Sequence, residues 1–293
     1  MMTTRSMSSK ADALLEALPY FQAFRGHTVV IKYGGAAMED PGLVRSVLRD
    51  VVFLETVGIN PVVVHGGGKA ITAAMKKENL TATVVDGLRV TDAASISIID
   101  RVLTEVISPA LAAEIVKLGG RAQNVSGKDV LVAQKGQPHL DAAGRKVDPG
   151  FVGDIVSIDI SAVQKLIDAE IVPVISPLGR GADGQVYNIN ADIAAARIAQ
   201  ALRSEKIIYL SDVNGVRRDP QDAASLIPSL NPAQIAQLKR DGVIAGGMIP
   251  KVDSALESLA NGVGKVHFLD GRESHALLLE LFTDAGIGTE IAA

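Results

Sequence analysis

NPVVVHGGGKAIT, Asn60 to Thr72, runs from an apolar segment through three glycines into a segment that can be helical. Val62, Val63 and Val64 form the short apolar run expected of a parallel strand buried on both faces. Gly66, Gly67 and Gly68 follow His65, and Lys69 to Glu78 reads as a helix. A strand that breaks on glycines into a helix aims backbone N–H groups at one point beside a positive helix end. That arrangement seats an anion, phosphate or carboxylate. A tight strand–helix turn would need one glycine, so three in a row favour close approach of a ligand. The common phosphate motifs do not fit. A P-loop would need glycine at Val63 and Ser or Thr at Ala70, and the dinucleotide fingerprint would need glycine at Ile71.

A second glycine turn supports this reading. Thr28 to Tyr33 is a buried strand ending at Lys32, with Gly34 and Gly35 at once behind it. A lysine there is either a side chain reaching out from a strand end or part of a composite anion site at the carboxyl edge of a sheet. Further strands follow at Ile171 to Ile175, Ile207 to Leu210 and Val266 to Leu269. Helices are expected over Asp40 to Thr56, from Asp92 to Ile107, and over Leu111 to Leu118, Ser161 to Ala169, Pro232 to Arg240 and Ser274 to Phe282. Strands alternating with helices predict a mostly parallel sheet covered on both faces. Val130 to Gly153 is polar and hairpin-like, a decoration or a roof over the site. GRGADG, Gly179 to Gly184, formally matches GxGxxG, but a strand pattern follows it, so it reads as a hairpin turn.

Composition excludes several classes. With 293 residues, 47% hydrophobic and 21% charged, the chain reads as an ordinary globular protein. A net charge of −4 and ten aromatics, none of them Trp, leave no footprint for nucleic acid. The absence of cysteine removes disulfides, thiolate metal sites and cysteine nucleophiles. The five histidines show no metal-ligand spacing, so no protein-held metal is expected. No apolar run approaches the ~18 residues of a membrane span. The first ten residues lack the apolar core of a secretory signal and read as a frayed, cytoplasmic N-terminus.

Three further stretches carry polar groups that demand an explanation. Arg89 stands alone among apolar residues ahead of Asp92, as a carboxylate clamp or as one half of a surface ion pair. In YNINAD, Asn190 is a good N-cap and Asp192 lies in the first helical turn, but capping leaves Asn188 unexplained. In GVIAGGMIPKV, Lys251 opens a helix behind two glycines and Pro250. At the N-terminus, Ala11 to Phe24 is an amphipathic helix, with Ala11, Leu14, Leu15 and Leu18 on one face and Tyr20, Phe21 and Phe24 following. Pro19 should kink it or end its first half. It packs either on its own subunit or on another.

The motifs IKYGG, VVHGGGKAI, DGLRVTD, YNINAD, LSDVNGV and GGMIPKV, in this order and spacing, resemble the amino acid kinase family, and within it the branch that acts on N-acetylglutamate. The likeness covers the chain from about Leu14 onward; the loop RRDPQDAASLIPSL is its least family-like part. It implies an open αβα sandwich in one continuous fold. Residues 1–26 would be an oligomerising helical extension, 27–190 the part that binds N-acetyl-L-glutamate and forms a dimer, and 191–293 the ATP-binding part. By resemblance, Lys32 and Lys251 flank the transferring phosphoryl group, Gly34 and Gly67 donate N–H groups to it, and Asp192 orients the two lysines. Gly67 and Gly68 border the substrate carboxylate, and Arg89, Asn188 and Asn190 hold the amino acid. Asp212, Val213, Asn214, Gly215, Val216 and Arg217 would line the nucleotide with Val243, Ile244 and Ala245.

The implied reaction is transfer of the ATP γ-phosphoryl group to the substrate's side-chain carboxylate, with magnesium carried on ATP and no prosthetic group. The acceptor, an ordinary carboxylate with a pKa of about 4.3, needs no general base. The task is to offset repulsion between two anions by positioning and electrostatics. The resemblance also implies a hexamer built as a trimer of dimers and inhibited by arginine, bound among Tyr20, His275, Glu280, Gly286 and Gly288. Some relatives bind a PII-type signalling protein, a partner that these residues leave open. Two alternatives stand beside this reading: another small carboxylate or carbamate as acceptor, and a binding module that kept the fold and lost turnover. Arg89 with Asn188 argues against the first, and Lys32, Asp192 and Lys251 together argue against the second.

Overall fold

The structure is a computed structural model that describes residues 4–85, 88–140, 144–284 and 286–293. Asp86 and Gly87 of the DGLRVTD motif lie outside the described residues. Eight strands form the central sheet, in the order Ser229–Leu230, Thr289–Ala292, Lys265–Asp270, Lys206–Ser211, Thr28–Tyr33, Asn60–His65, Val172–Ile175 and Ala122–Val125. The last six run parallel; Thr289–Ala292 is antiparallel to Lys265–Asp270 and carries Ser229–Leu230 beside it.

Both faces of the sheet are covered, which is why the strands read as continuous apolar runs. Side chains alternate between two packed layers. Val30, Val62, Val64 and Tyr209 enter one, with helices Ala191–Leu202 and Met248–Ala260. Val29, Ile31, Val63 and Leu210 enter the other, with helices Pro41–Thr56, Gly68–Lys77 and Ala276–Leu281. The middle of the chain builds a four-stranded sheet, Val186–Asn188, Leu178–Arg180, Leu131–Lys135 and Gly153–Ile158. Its strand Leu178–Arg180 follows directly on the carboxyl end of Val172–Ile175, which ties it to that edge of the main sheet. Leu178–Arg180 and Val186–Asn188 pair antiparallel, so GRGADG is indeed a hairpin turn.

Several expectations are corrected. The N-terminal helix spans Thr4–Phe24, so residues 4–10 are helical rather than frayed, and it passes Pro19 without a break. The carbonyl that Pro19 leaves without a donor belongs to Leu15, whose residue is 65% exposed. The helix after Asp92 does not stop before Leu111. It runs from Ala93 to Lys117 through a π-helical stretch, Val102–Ile107. Pro109 lacks the N–H that an α-helix would aim at Glu105, and a widened turn ahead of it accommodates that loss. Lys251 is the fourth residue of its helix, behind Met248, Ile249 and Pro250, at the end of the first turn rather than at its start. Val266–Leu269 is not the last strand: Thr289–Ala292 follows it at the sheet edge. The aromatics of the N-terminal helix pack within the subunit. Phe21 meets Phe282 and Phe53 at ring separations of 5.0 and 5.8 Å, and Lys206 Nζ sits 5.0 Å from the Phe24 ring. Leu14 and Leu15 remain outside, 61% and 65% exposed.

Candidate active site

Thr28–Tyr33 lies between Asn60–His65 and Lys206–Ser211, and from this pair of neighbours the connections lead outward in opposite directions. Open α/β sheets bind ligands outside the carboxyl ends of the strands at such a switch point. Both glycine turns lie there, as does the loop that begins at Asp212. Lys32 sits opposite Val64 on one side and Tyr209 on the other. Its side chain is only 13% exposed, and Nζ lies 3.0 Å from Asp192 Oδ1. A Cβ at Gly34 would stand 2.8 Å from that Nζ, so glycine leaves the ammonium group room to pass.

Asp192 is placed by Asn190. The Asn190 side-chain oxygen accepts from the N–H groups of Asp192 (2.7 Å) and Ile193 (3.3 Å), capping helix Ala191–Leu202. Lys251 lies half-buried in the first turn of Met248–Ala260, the helix packed against Ala191–Leu202. Among the described residues Lys251 forms no ion pair, so Asp192 meets Lys32 alone.

A cleft of about 220 Å³, open to solvent, adjoins the glycine turn. Gly66, Gly67, Gly68, Arg89, Asn188 and Asn190 all line it, as does Val152, which is bridged to Asn188 of the smaller sheet. The small sheet thus borders the site through Asn188. Arg89 is not half of a surface ion pair. Its Nη2 donates to the Gly68 carbonyl (3.0 Å) and to Thr72 Oγ1 (2.8 Å), and Nη1 lies 3.6 Å from Met75 Sδ. Burial lowers its pKa. Among the described residues no carboxylate pairs with this half-buried cation, which suits it to an anionic ligand. Asn188 donates to Thr91 Oγ1 at 3.4 Å, and Thr91 donates to the Arg89 carbonyl at 2.9 Å.

In the sequence His65 stands out only for its lack of metal-ligand spacing, yet it lies directly behind the glycines, fully buried. Its Nδ1 is 2.7 Å from the Gly66 carbonyl and its Nε2 is 2.5 Å from Ser108 Oγ. A titratable residue directly after the run Val62, Val63 and Val64 is the signal that marks it. Burial pushes the imidazole pKa down to about 4. The unfolded chain takes up a proton near pH 6.5 that the native chain refuses. His65 therefore contributes stability that is fully present above about pH 6.5 and is lost as pH falls toward 4. Urea unfolding should show about 2 kcal/mol of this loss between pH 7 and pH 5, and His65→Asn should remove that share of the slope. An unchanged slope in the variant would contradict it.

On the nucleotide side, the 212–217 loop leaves strand Lys206–Ser211 at the same edge. Val216 and Ile244 are core residues, 2% and 1% exposed, so only their backbone can face a ligand. The Val216 N–H donates to Thr289 Oγ1 at 2.9 Å, fixing the loop to the C-terminal strand, and Arg217 Nη1 lies 3.5 Å from the Pro220 carbonyl. Asn214 Oδ1 is a buried oxygen with no partner among the described residues. Val213 and Ala245 are exposed, and Val243 is partly so.

Tyr20, His275 and Glu280 each meet a partner within this chain. Tyr20 donates to the Asp284 carboxylate. His275 Nδ1 lies 2.6 Å from Asp50 Oδ1. The expectation for Glu280 is a counter-ion for a cationic ligand, with solvent as the alternative. In the structure its side chain is 4% exposed and its partner is His267 Nδ1, at 2.7 Å. Its other oxygen accepts from the N–H groups of Ile287 (2.7 Å) and Gly288 (3.1 Å). Gly286 has φ +59°, and a Cβ there would stand 2.7 Å from Glu280 Oε2. Gly286 thus admits the chain's own carboxylate.

Residues 27–270 match the amino acid kinase family. An acetylglutamate kinase of Heliobacterium modesticaldum is 47% identical over 287 residues, covering 96% of this chain and 97% of that one. Two solved structures of N-acetylglutamate synthase from Neisseria gonorrhoeae are also similar. The one complexed with coenzyme A and N-acetyl-glutamate has a TM-score of 0.82 at 30% identity, covering 97% of this chain and 63% of that one. The one complexed with coenzyme A and L-arginine has a TM-score of 0.77 at 29% identity, covering 96% and 65%. The chain thus spans less than two thirds of the synthase.

Proposed function

We infer that this chain, which belongs to the amino acid kinase family, transfers the γ-phosphoryl group of ATP to the side-chain carboxylate of N-acetyl-L-glutamate. It is an ATP-dependent kinase with a carboxyl group as acceptor. The observation that carries the choice of acceptor is Arg89, a half-buried guanidinium with no carboxylate partner among the described residues, lining one cleft with the glycine turn and Asn188. A planar fork suits the α-carboxylate of an amino acid. That leaves the second carboxylate to act as nucleophile.

The nucleophile is already ionised at neutral pH. Lys32, Lys251 and the N–H groups of Gly34 and Gly67 would meet the charge that spreads over the phosphoryl oxygens in flight. The helix that starts at Gly68 adds its positive end. Asp192 holds Lys32 in line. Magnesium enters with the ATP phosphates. The product is an acyl phosphate, so hydroxylamine added to the reaction should yield a hydroxamate only when ATP and N-acetylglutamate are both present. Hydroxamate formed without the acceptor, or none with it, would contradict the assignment.

A regulatory role for the N-terminal helix belongs to the same reading. Its leucines face outward while its aromatics hold it to the C-terminal segment, and a solved relative carries L-arginine. In this reading the chain is a hexamer, a trimer of dimers joined by these helices, and arginine suppresses activity by stabilising a more open form. Deleting residues 1–25 should leave an active dimer that ignores arginine. Light scattering reports the mass, and ADP release with and without arginine reports the response. A truncated chain that stays hexameric, or stays arginine-sensitive, would show that the helix has no such role.

A further inference from the structure

The wide turn of the long helix and the glycine turn meet at His65. In the π-helical stretch Val102–Ile107 each turn holds more than four residues, so Leu103, Ile107 and the next residue, Ser108, share one side. Leu103 and Ile107 close on Gly67: a Cβ there would lie 2.7 Å from Leu103 Cδ2 and 2.8 Å from Ile107 Cδ1. Ser108 Oγ reaches His65 Nε2.

The hydrogen bonds fix the tautomer of His65. The Gly66 carbonyl can only accept, so Nδ1 carries the proton and donates to it. Nε2 is then bare and accepts from the Ser108 hydroxyl. The Gly66 N–H donates to the Tyr33 carbonyl at 2.7 Å, so Gly66 is tied at both ends. In a trans peptide the C=O and the following N–H point in opposite directions. Drawing the Gly66 carbonyl onto His65 therefore turns the Gly67 N–H away from His65. Gly67 is the N-cap of helix Gly68–Lys77, and that N–H has no partner within the helix.

We propose that His65 is a positioning residue for phosphoryl transfer, locked by Ser108 with its proton on Nδ1 so that the Gly66–Gly67 peptide presents the Gly67 N–H to the reacting anion. This rests on the proposed function, since it assumes that Gly67 meets the transferred group. His65 itself touches neither substrate nor nucleotide. Its effect is transmitted through one peptide plane.

Two substitutions in the full chain separate this role from a packing role. His65→Asn keeps an N–H donor near Nδ1 and so keeps the bond to Gly66, while losing Ser108. His65→Gln keeps reach to Ser108 and loses the Gly66 bond. Positioning predicts that kcat falls about a hundredfold in His65→Gln, as for loss of one aimed donor, but stays within about threefold in His65→Asn. KM for both substrates should move less than about twofold in either variant. Packing alone predicts the reverse order, because Asn leaves the larger void and lowers the unfolding midpoint more. A His65→Gln enzyme as active as His65→Asn would overturn the proposal. Imidazole nitrogen-15 shifts give a reading that needs no substrate: Nδ1 protonated and Nε2 bare from pH 6 to 8 is expected, and the opposite tautomer would overturn it. A wild-type chain inactive on N-acetylglutamate but showing this tautomer would overturn the choice of substrate and leave the His65 lock standing.

Discussion

Lys32→Ala is expected to lower kcat about a hundredfold, and Lys251→Ala by a similar factor, each through loss of a donor aimed at developing charge. Their structural consequences should differ. Lys32 is mostly buried and paired with Asp192, so its removal leaves that carboxylate without a partner. Lys251 makes no ion pair among the described residues, and its removal should leave the unfolding midpoint unchanged. The pair thus separates catalysis from stability: two similar losses of turnover, with destabilisation in one variant only. Near-normal turnover in either purified, folded variant would sink the role given to that lysine.

Arg89→Lys is expected to raise the KM for N-acetylglutamate between about tenfold and a hundredfold, the range for loss of a hydrogen bond to a charged group. The guanidinium already spends Nη2 on Gly68 and Thr72 and still has further donors to offer a carboxylate. An ammonium group is a single point with no fork. It cannot hold the glycine turn and the substrate together. The KM for ATP should move far less. If the ATP constant rose and the acceptor constant did not, Arg89 would belong to the nucleotide side.

The parts of the site that lie on regular elements are legible in the sequence. Buried valine runs and glycine turns have local signatures, and they place Lys32, Gly34, Gly67 and Asn190 at strand and helix ends, where the structure has them. The pairing of Asp192 with Lys32 and not Lys251 is not legible, because it depends on how two helices lean together. Glu280 misleads for the same kind of reason. Its helix position suggests an open charge, but His267 is brought beside it by a neighbouring strand. The π-helical turn leaves no trace in apolar spacing, since Leu103 and Ile107 are four residues apart, as α-helical core residues also are. Ser229–Leu230 is two residues long, too short for any alternation to show. The inward packing of Phe21 depends on Phe53 and Phe282, distant in sequence and joined only by the fold.

The central claim is the identity of the acceptor, and ADP release by the purified full-length chain, with magnesium and ATP, tests it most directly. N-acetyl-L-glutamate, glutamate, aspartate and carbamate would be offered as separate acceptors. The account predicts that N-acetyl-L-glutamate alone gives rapid, saturable ADP release. Release that is faster with another acceptor, or that no acceptor stimulates, would contradict it.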